Sequence, residues 1–501
     1  MRNFSPPHSC SPAKLSVSLI RAVKTSPILN LVKRTIDTYI LHVHIIQYGK
    51  IIIKSISKQT FDSYVQSSRH PNAMIIAQEI QWYANSNETI LGVIAIYKID
   101  NDFSAIMLGR DEIGKFRAFN LETSFEKLED AVFWLKNTIK WYTALRKTVF
   151  PQGEPGKQYK IFDTKIPKDK QHPYFVRLNN DDSYIPAKTI INNIMPYFID
   201  IDGNFIEQFQ TTGFDARIWE LYLFSYFIED YFEIDRSHDR PDFILSKFGE
   251  KIAVEAVIVG RKSIPKYIHI NPDEYFKNLM LQKKDDNEMA IKFGSPLFTK
   301  LSKRYWELNH LNGVPFIIAI ADFHEDYSMT WSHNTLIKYL YGTDHTYNYN
   351  KAGELIIIPK EIKNHSHGSK NIPSGFFNQP ETENISGILF SSSGTISKFS
   401  RMGIQAGFNI QNIRTFRWGM AHNHDPNASK PSIFNYEVTE KSNEIWAEGL
   451  NLFHNPKAKQ PIDPEIFPTI AHHFFRDDGN IISWLPDFHP YASITSHMKI
   501  V

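Results

Sequence analysis

The chain has 501 residues, 42% hydrophobic and 22% charged, which excludes a disordered or collagen-like polymer. At roughly 100–200 residues per domain, there is room for about two to four domains. Lys plus Arg number 56 against 54 Asp plus Glu, a formal charge of +2, so any basic footprint for nucleic acid has to be local. The single cysteine, Cys10, excludes an internal disulfide and a cysteine-built zinc site, and it fits a reducing compartment.

Residues 1–56 are basic (Arg2, Lys14, Arg21, Lys24, Lys33, Arg34, Lys50, Lys54), with Asp37 the one acid. They read as a poorly packed extension, of the kind a start-site choice leaves; the alternative is an arm that binds nucleic acid. Tyr39 to Ile53 is apolar, but His42, His44, Gln47 and Lys50 interrupt it, and it is shorter than the ~20 residues of a membrane span. Lys14, Arg21 and Lys24 spoil a signal-peptide pattern. The expectation is a cytoplasmic protein without a membrane partner.

Residues 57–150 form an expected α+β domain. Strands are predicted at Ile75–Tyr83, Thr89–Ile99, Phe103–Leu108 and Lys115–Phe119, followed by a helix over Phe125–Ile139 with Leu128, Val132, Leu135 and Ile139 on one face. The Pro-, Asp- and Lys-rich stretch at 151–213 reads as a linker with short helices.

The informative region is 214–324. Phe214–Tyr226 has strong helical spacing and holds Glu220 in its middle. Phe232–Asp235 is a short strand. Asp242 opens the next strand, a turn follows at Phe248–Gly249–Glu250, and Lys251–Val259 is an apolar strand with Glu255 at its centre. A lone carboxylate inside a buried strand is costly unless it is paired or binds metal. A helix across this hairpin could bring Glu220, Asp242 and Glu255 together. Clustered carboxylates suit a hard cation such as Mg²⁺, which keeps several waters. The bland alternative pairs Glu255 with Arg217 or Arg240. Leu297–Leu308 reads as a helix with Lys300, Lys303 and Arg304 on one face, suited to a phosphate backbone. Lys277, Lys283, Lys284 and Lys292 read as a solvated loop, balanced by Asp285, Asp286 and Glu288. Phe316–Ala321 is a buried strand.

On Pro241–Asp242, Glu255–Ala256–Val257 and the upstream Glu220, the region resembles the PD-(D/E)XK nuclease superfamily, the restriction-endonuclease-like fold. The resemblance implies an α-β-β-β-α-β core over 214–324, within an α/β protein that is α+β overall. It implies that Asp242 and Glu255 hold Mg²⁺ or Mn²⁺, that Glu220 supports them, and that a lysine stabilises the transition state. Val257 stands where that lysine is usual. Lys262, Lys300 and Lys303 are the candidates to replace it. The wider sequence (FDARIWELYLF, FGEKIAVEA, LFTKLSKRYWEL, ISGILFSSSGTISKFSRMG, LPDFHPYASIT) is similar to an uncharacterised bacterial family whose members sometimes carry the label "glycosaminoglycan attachment site". In that family the chain begins near residue 57. The label needs Ser-Gly-x-Gly, and Ser374–Gly375, Ser386–Gly387 and Ser393–Gly394 lack the second Gly. The resemblance implies a nuclease acting on nucleic acid, DNA favoured, in defence against foreign DNA; a homodimer is one arrangement open to it. The rival is an inactive version that serves as a binding or assembly module.

Residues 325–501 read as α/β additions, with 454–501 a closing arm. Asp344–His345, His365/His367, His422/His424 and His472–His473 lack a second ligand pair at a zinc spacing. Ser391–Ser392–Ser393–Gly394–Thr395 follows the strand Ile385–Phe390 and is similar to an anion-binding loop, without the Gly-Lys pattern of a P-loop. Lys398 and Arg401 beyond it could touch a phosphate backbone, but the favoured reading is a solvated loop.

Overall fold

The computed structural model describes residues 51–154, 156, 158, 160–262 and 285–500. The extension at 1–56 lies outside the described residues up to position 50, as do Cys10, Lys277, Lys283 and Lys284. The molecule is mixed α/β, with several sheets and ten α-helices among the described residues. None of these helices is long and apolar enough to cross a membrane.

The first sheet is an antiparallel meander of β1 (Ile53–Ser55), β2 (Ala77–Asn85), β3 (Ile90–Tyr97), β4 (Phe103–Arg110) and β5 (Phe116–Phe125), paired in that order. Helices α1 (Lys58–Val65) and α2 (Pro71–Ile76) lie between β1 and β2, and α3 (Leu128–Ala144) follows β5. Strand β3 is apolar throughout because both faces are covered. Ile90 and Ile94 meet Ala131, Leu135 and Ile139 of α3, whereas Leu91 and Val93 meet Phe61 and Val65 of α1. Ile75 and Ile76, expected in a strand, end α2 instead. Pro71 opens that helix and the His70 ring accepts the Asn72 N–H at 3.2 Å, so start signals override the β-branched residues.

Helices α4 (Pro173–Asn180), α5 (Ile185–Ile194) and α6 (Phe205–Gln210) arise from the stretch read as a linker. Their Phe175, Ile190, Phe205 and Phe209 enter the largest apolar cluster, so they wall the core rather than space it. The cluster also takes α7 (Phe214–Glu229), which is buried on nearly every side, as its all-round apolar sequence requires.

After α7 come β6 (Glu233–Asp235), β7 (Phe243–Lys247), β8 (Glu250–Val259), α8 (Asp286–Leu301), β9 (Phe316–Asp322) and α9 (Ser332–Tyr341). Two hairpins follow, β10 (Thr343–Tyr349) with β11 (Leu355–Glu361), and β12 (Asn364–His367) with β13 (Lys370–Pro373). Then come β14 (Gly387–Ser391), α10 (Ile396–Gln405), β15 (Ile413–Ala421), β16 (Ser432–Glu437), β17 (Leu450–His454), β18 (Ala471–Phe475), β19 (Ile481–Trp484) and β20 (Pro490–Lys499). Among the described residues eight strands make the central sheet, in the order β19-β18-β17-β14-β9-β8-β7-β6. β6, β7 and β8 are antiparallel neighbours; β8, β9 and β14 run parallel. One face carries α7, whose Trp219 indole N–H donates to the Ala319 carbonyl at 3.1 Å. The other carries α8 and α9 through Phe293, Leu297 and Leu336. The late segment is therefore integral: β17, β18 and β19 extend this sheet, while β20 pairs with β15 in a separate three-stranded sheet.

Helix α8 starts well before the predicted Leu297. Asp285 caps it, its carboxylate accepting the Asn287 and Glu288 N–H groups at 2.9 and 3.2 Å. It ends at Leu301, and Arg304 turns left-handed at φ 50°. Lys300 and Arg304 therefore do not share a helical face. Arg304 turns to Glu307 and Glu381 at 3.1 and 2.6 Å.

Gly403 lets α10 approach α5: a Cβ there would stand 2.3 Å from the Pro186 carbonyl oxygen. Gly403→Ala should cost about 1–3 kcal/mol through overpacking. The expected signature is a lower urea midpoint with an unchanged slope.

Candidate active site

The antiparallel register of β7 and β8 pairs Phe243 with Val254, so Asp242 and Glu255 face each other one step beyond. Their contacts are reciprocal. The Asp242 N–H donates to Glu255 Oε2 at 3.2 Å, and the Ala256 N–H donates to Asp242 Oδ2 at 2.7 Å. Alternation along β8 puts Glu255 on the same face as Ala253 and Val257, the face covered by α8. From that helix Lys300 reaches down and ion-pairs with Glu255 Oε1. Val257 packs apolarly beneath the helix, and the ammonium comes from the helix instead of the strand.

Glu220 approaches from α7 on the opposite side. Arg217, one turn earlier, donates through Nη1 to both Glu220 oxygens at 2.8 Å. Arg217 is itself fixed by the Gln208 side-chain oxygen at 2.6 Å and stands over the Phe205 ring at 5.2 Å. Glu220 and Asp242 line a cavity of about 30 Å³ with Arg217, Arg236, Asp200 and Asp239. Such a space suits about one water.

Burial, then the charge on Asp242, pushes both Glu220 and Glu255 up to about 7. Arg217 opposes the shift at Glu220, and Lys300 opposes it at Glu255. Burial also raises Asp242, against the Ala256 N–H and the Lys300 charge. Burial would lower Lys300, but Glu255 and Asp242 outweigh it and hold the ammonium charged. The result is three crowded carboxyls, incompletely neutralised, with a cation beside them. Perturbed groups of this kind gather at functional sites.

Of the residues singled out from sequence, Glu220, Asp242, Glu255 and Lys300 come together. Lys303 is exposed past the end of α8, and Lys262 lies near Glu288. Arg240 is exposed beside Asp239 at 3.7 Å, so neither it nor Arg217 is the partner of Glu255. Sequence reasoning missed Arg236. Its guanidinium stands 4.6 Å over Phe198, donates to the Asp242 carbonyl at 3.0 Å, and has a buried Nε without a partner among the described residues. Its loop position carried no signal. Arg217 was read only as an alternative partner of Glu255; the i,i+3 spacing to Glu220 is the signal that could have found its pairing.

The histidine pairs go elsewhere. His333, His473 and His489 direct Nε2 at the Asn451 side-chain oxygen at 3.3, 3.0 and 3.0 Å, and His454 meets His472 at 2.9 Å. Among the described residues no group of three or more His, Cys, Asp or Glu side chains is arranged to hold a metal ion. A hard cation held by two carboxylates and waters needs only Asp242 and Glu255. Asp242 Oδ1 has no hydrogen-bond partner among the described residues, and the all-oxygen donors fit Mg²⁺ or Mn²⁺. Compared with protein-family models, with curated proteins and with solved structures, the chain matches none.

Proposed function

We propose that the α7-β6-β7-β8-α8-β9 unit is a restriction-endonuclease-like core that hydrolyses phosphodiester bonds of nucleic acid with a divalent metal. The observation that carries this reading is the meeting of Asp242, Glu255 and Lys300 at the edge of a β6-β7-β8-β9 arrangement whose last pair is parallel and joined through α8. Asp242 and Glu255 would hold Mg²⁺ or Mn²⁺, which supplies a Lewis acid for the phosphate and a lowered water pKa. Lys300 sets a fixed positive charge where negative charge grows on the phosphate oxygens. Glu220, clamped by Arg217, keeps a carboxyl poised near neutrality and suited to exchanging a proton with water. DNA is the favoured substrate, and defence against foreign DNA rests on fold analogy alone.

The test is cleavage of plasmid DNA and single-stranded RNA with Mg²⁺ or Mn²⁺, against EDTA. Lys300→Ala should slow cutting by about 10²–10³-fold. Lys303→Ala should leave it unchanged. No cutting by the wild type, with no metal-induced rise in melting temperature, would favour a nucleic-acid-binding or assembly module.

A further inference from the structure

A cavity of about 820 Å³ lies away from these carboxylates. It opens at the carboxyl end of the parallel strands β9 and β14, where Asp322 closes the first and Ser392 follows the second. Open sheets bind ligands at this end of their parallel strands. The volume falls in the range of small-molecule sites.

Two features of its wall point to an occupant. The first is the start of α10. Thr395, Ile396 and Ser397 line the cavity, and the Thr395 side chain makes no capping bond. The Lys398 N–H donates to the Thr395 carbonyl at 2.9 Å, but the N–H groups of Ile396 and Ser397 have no acceptor within the helix and carry partial positive charge, which suits an anion. The second is a pair of unsatisfied polar atoms. Asp322 is 1% exposed; its Oδ1 engages the His324 ring Nδ1 at 2.7 Å, while Oδ2 has no partner among the described residues. His497 is tied through Nδ1 to Thr415 Oγ1 at 2.9 Å, and its buried Nε2 is likewise without a partner.

The charges of the wall narrow the class. Arg261 sits between Asp215 at 2.9 Å and Asp326 at 2.5 Å and cancels much of their charge. Asp181, Asp182 and Glu325 also line the space, with Arg177 and Lys499 as the other cations, so carboxylates outnumber cations on the wall. Carboxylates accept hydrogen bonds readily from hydroxyl groups. Trp418 and Tyr327 add aromatic surface.

We propose that this cavity binds a phosphate monoester of a sugar, with phosphate on the first turn of α10 and hydroxyls toward Asp322 and His497. The proposal is independent of the nuclease reading. Sugar phosphates and nucleoside monophosphates share this chemistry, and the test separates them.

Isothermal titration without divalent metal would use ribose 5-phosphate, AMP and inorganic phosphate as probes. Both esters should bind one-to-one and at least tenfold more tightly than phosphate. Tighter binding of AMP than of ribose 5-phosphate would identify a nucleotide site; equal binding would identify a sugar phosphate site. Ser397→Glu should fold, because an acid in the first turn of a helix is favourable, and should weaken both esters at least tenfold. Asp322→Asn should weaken the esters about tenfold and leave phosphate unchanged. The proposal is overturned if neither ester binds at millimolar concentration, if Ser397→Glu binds them undiminished, or if they bind no better than phosphate.

Discussion

Asp242→Asn should abolish metal-dependent cleavage, by about 10²–10³-fold or more, and leave the fold at least as stable at pH 8. The two effects share one cause. Asp242 raises the proton affinity of both Glu220 and Glu255, so the folded state bears their mutual repulsion. Asparagine keeps an oxygen to accept the Ala256 N–H at this position, so the strand contact survives while the charge goes. A substitution that removes function without loss of stability marks a strained site rather than a structural one. The gain at pH 8 should be on the order of 1 kcal/mol, since one pKa unit is worth about 1.4 kcal/mol.

The pH dependence gives the same substitution a second readout. In the unfolded chain a glutamate titrates near ~4.3; in the folded site Glu220 and Glu255 titrate at about 7. A folded-state value above the unfolded one gives stability that is complete below ~4.3 and lost as pH rises through 7. Between pH 6.5 and 8 Asp242→Asn should therefore gain stability relative to the wild type, because its two glutamates titrate lower. Comparing the two proteins cancels the histidines: burial lowers nine of them among the described residues, His454 and His489 to about 3, and they add stability as pH rises through ~6.5 in both proteins alike. Glu229, pushed up to about 8 by burial, adds the same slope to both proteins. Urea midpoints across that window measure the difference. Equal slopes would mean that Asp242 does not act on the two glutamates.

What the sequence made legible follows from the range of the interactions. Glu255 stood out because a strand of Ile, Val and Ala leaves a charge nowhere to hide, and Asp242 because it precedes the partner strand. Lys300 was one candidate among three. Separating it from Lys303 needed the end of α8, and that end depends on a left-handed residue no propensity announces. Long-range pairing was invisible. Lys398 and Arg401 read as residues of a solvated loop, yet both are fully buried. Their partner, Glu444, is more than forty residues away in sequence. The three helices at 173–210 were foreseen as short but not as buried, because their Phe and Ile residues are diluted by Asn, Asp and Lys.

Glu444→Gln should destabilise the protein by about 3–5 kcal/mol, the largest loss expected from a single isosteric change. Glu444 accepts from Lys398 Nζ at 2.6 Å, from Arg401 at 2.8 Å through both Nε and Nη2, and lies 3.4 Å from Arg417. All four side chains are buried. Burial alone would raise the Glu444 carboxyl, but Arg401, Arg417 and Lys398 together hold it far below the usual range. A glutamine offers one acceptor oxygen and no charge. Glu448 reaches Arg417 at 2.7 Å, and Glu229 is not ionised readily at neutral pH, so neither can replace the lost charge beside Lys398. Arg417 Nη2 is already without a partner among the described residues, which leaves no slack in the network. Removing a cation at the same time tests the electrostatic cause: Lys398→Met with Glu444→Gln should recover part of the loss, whereas a packing defect would add to it. An exposed control, Glu437→Gln opposite Arg414, should leave the urea midpoint unchanged. The network ties α10 to β15 and, through the Arg401 bond to Thr495 at 2.6 Å, to β20. Its failure should therefore loosen the wall that presents the α10 terminus to the large cavity, and ester binding should weaken in Glu444→Gln well below the temperature at which the central sheet unfolds.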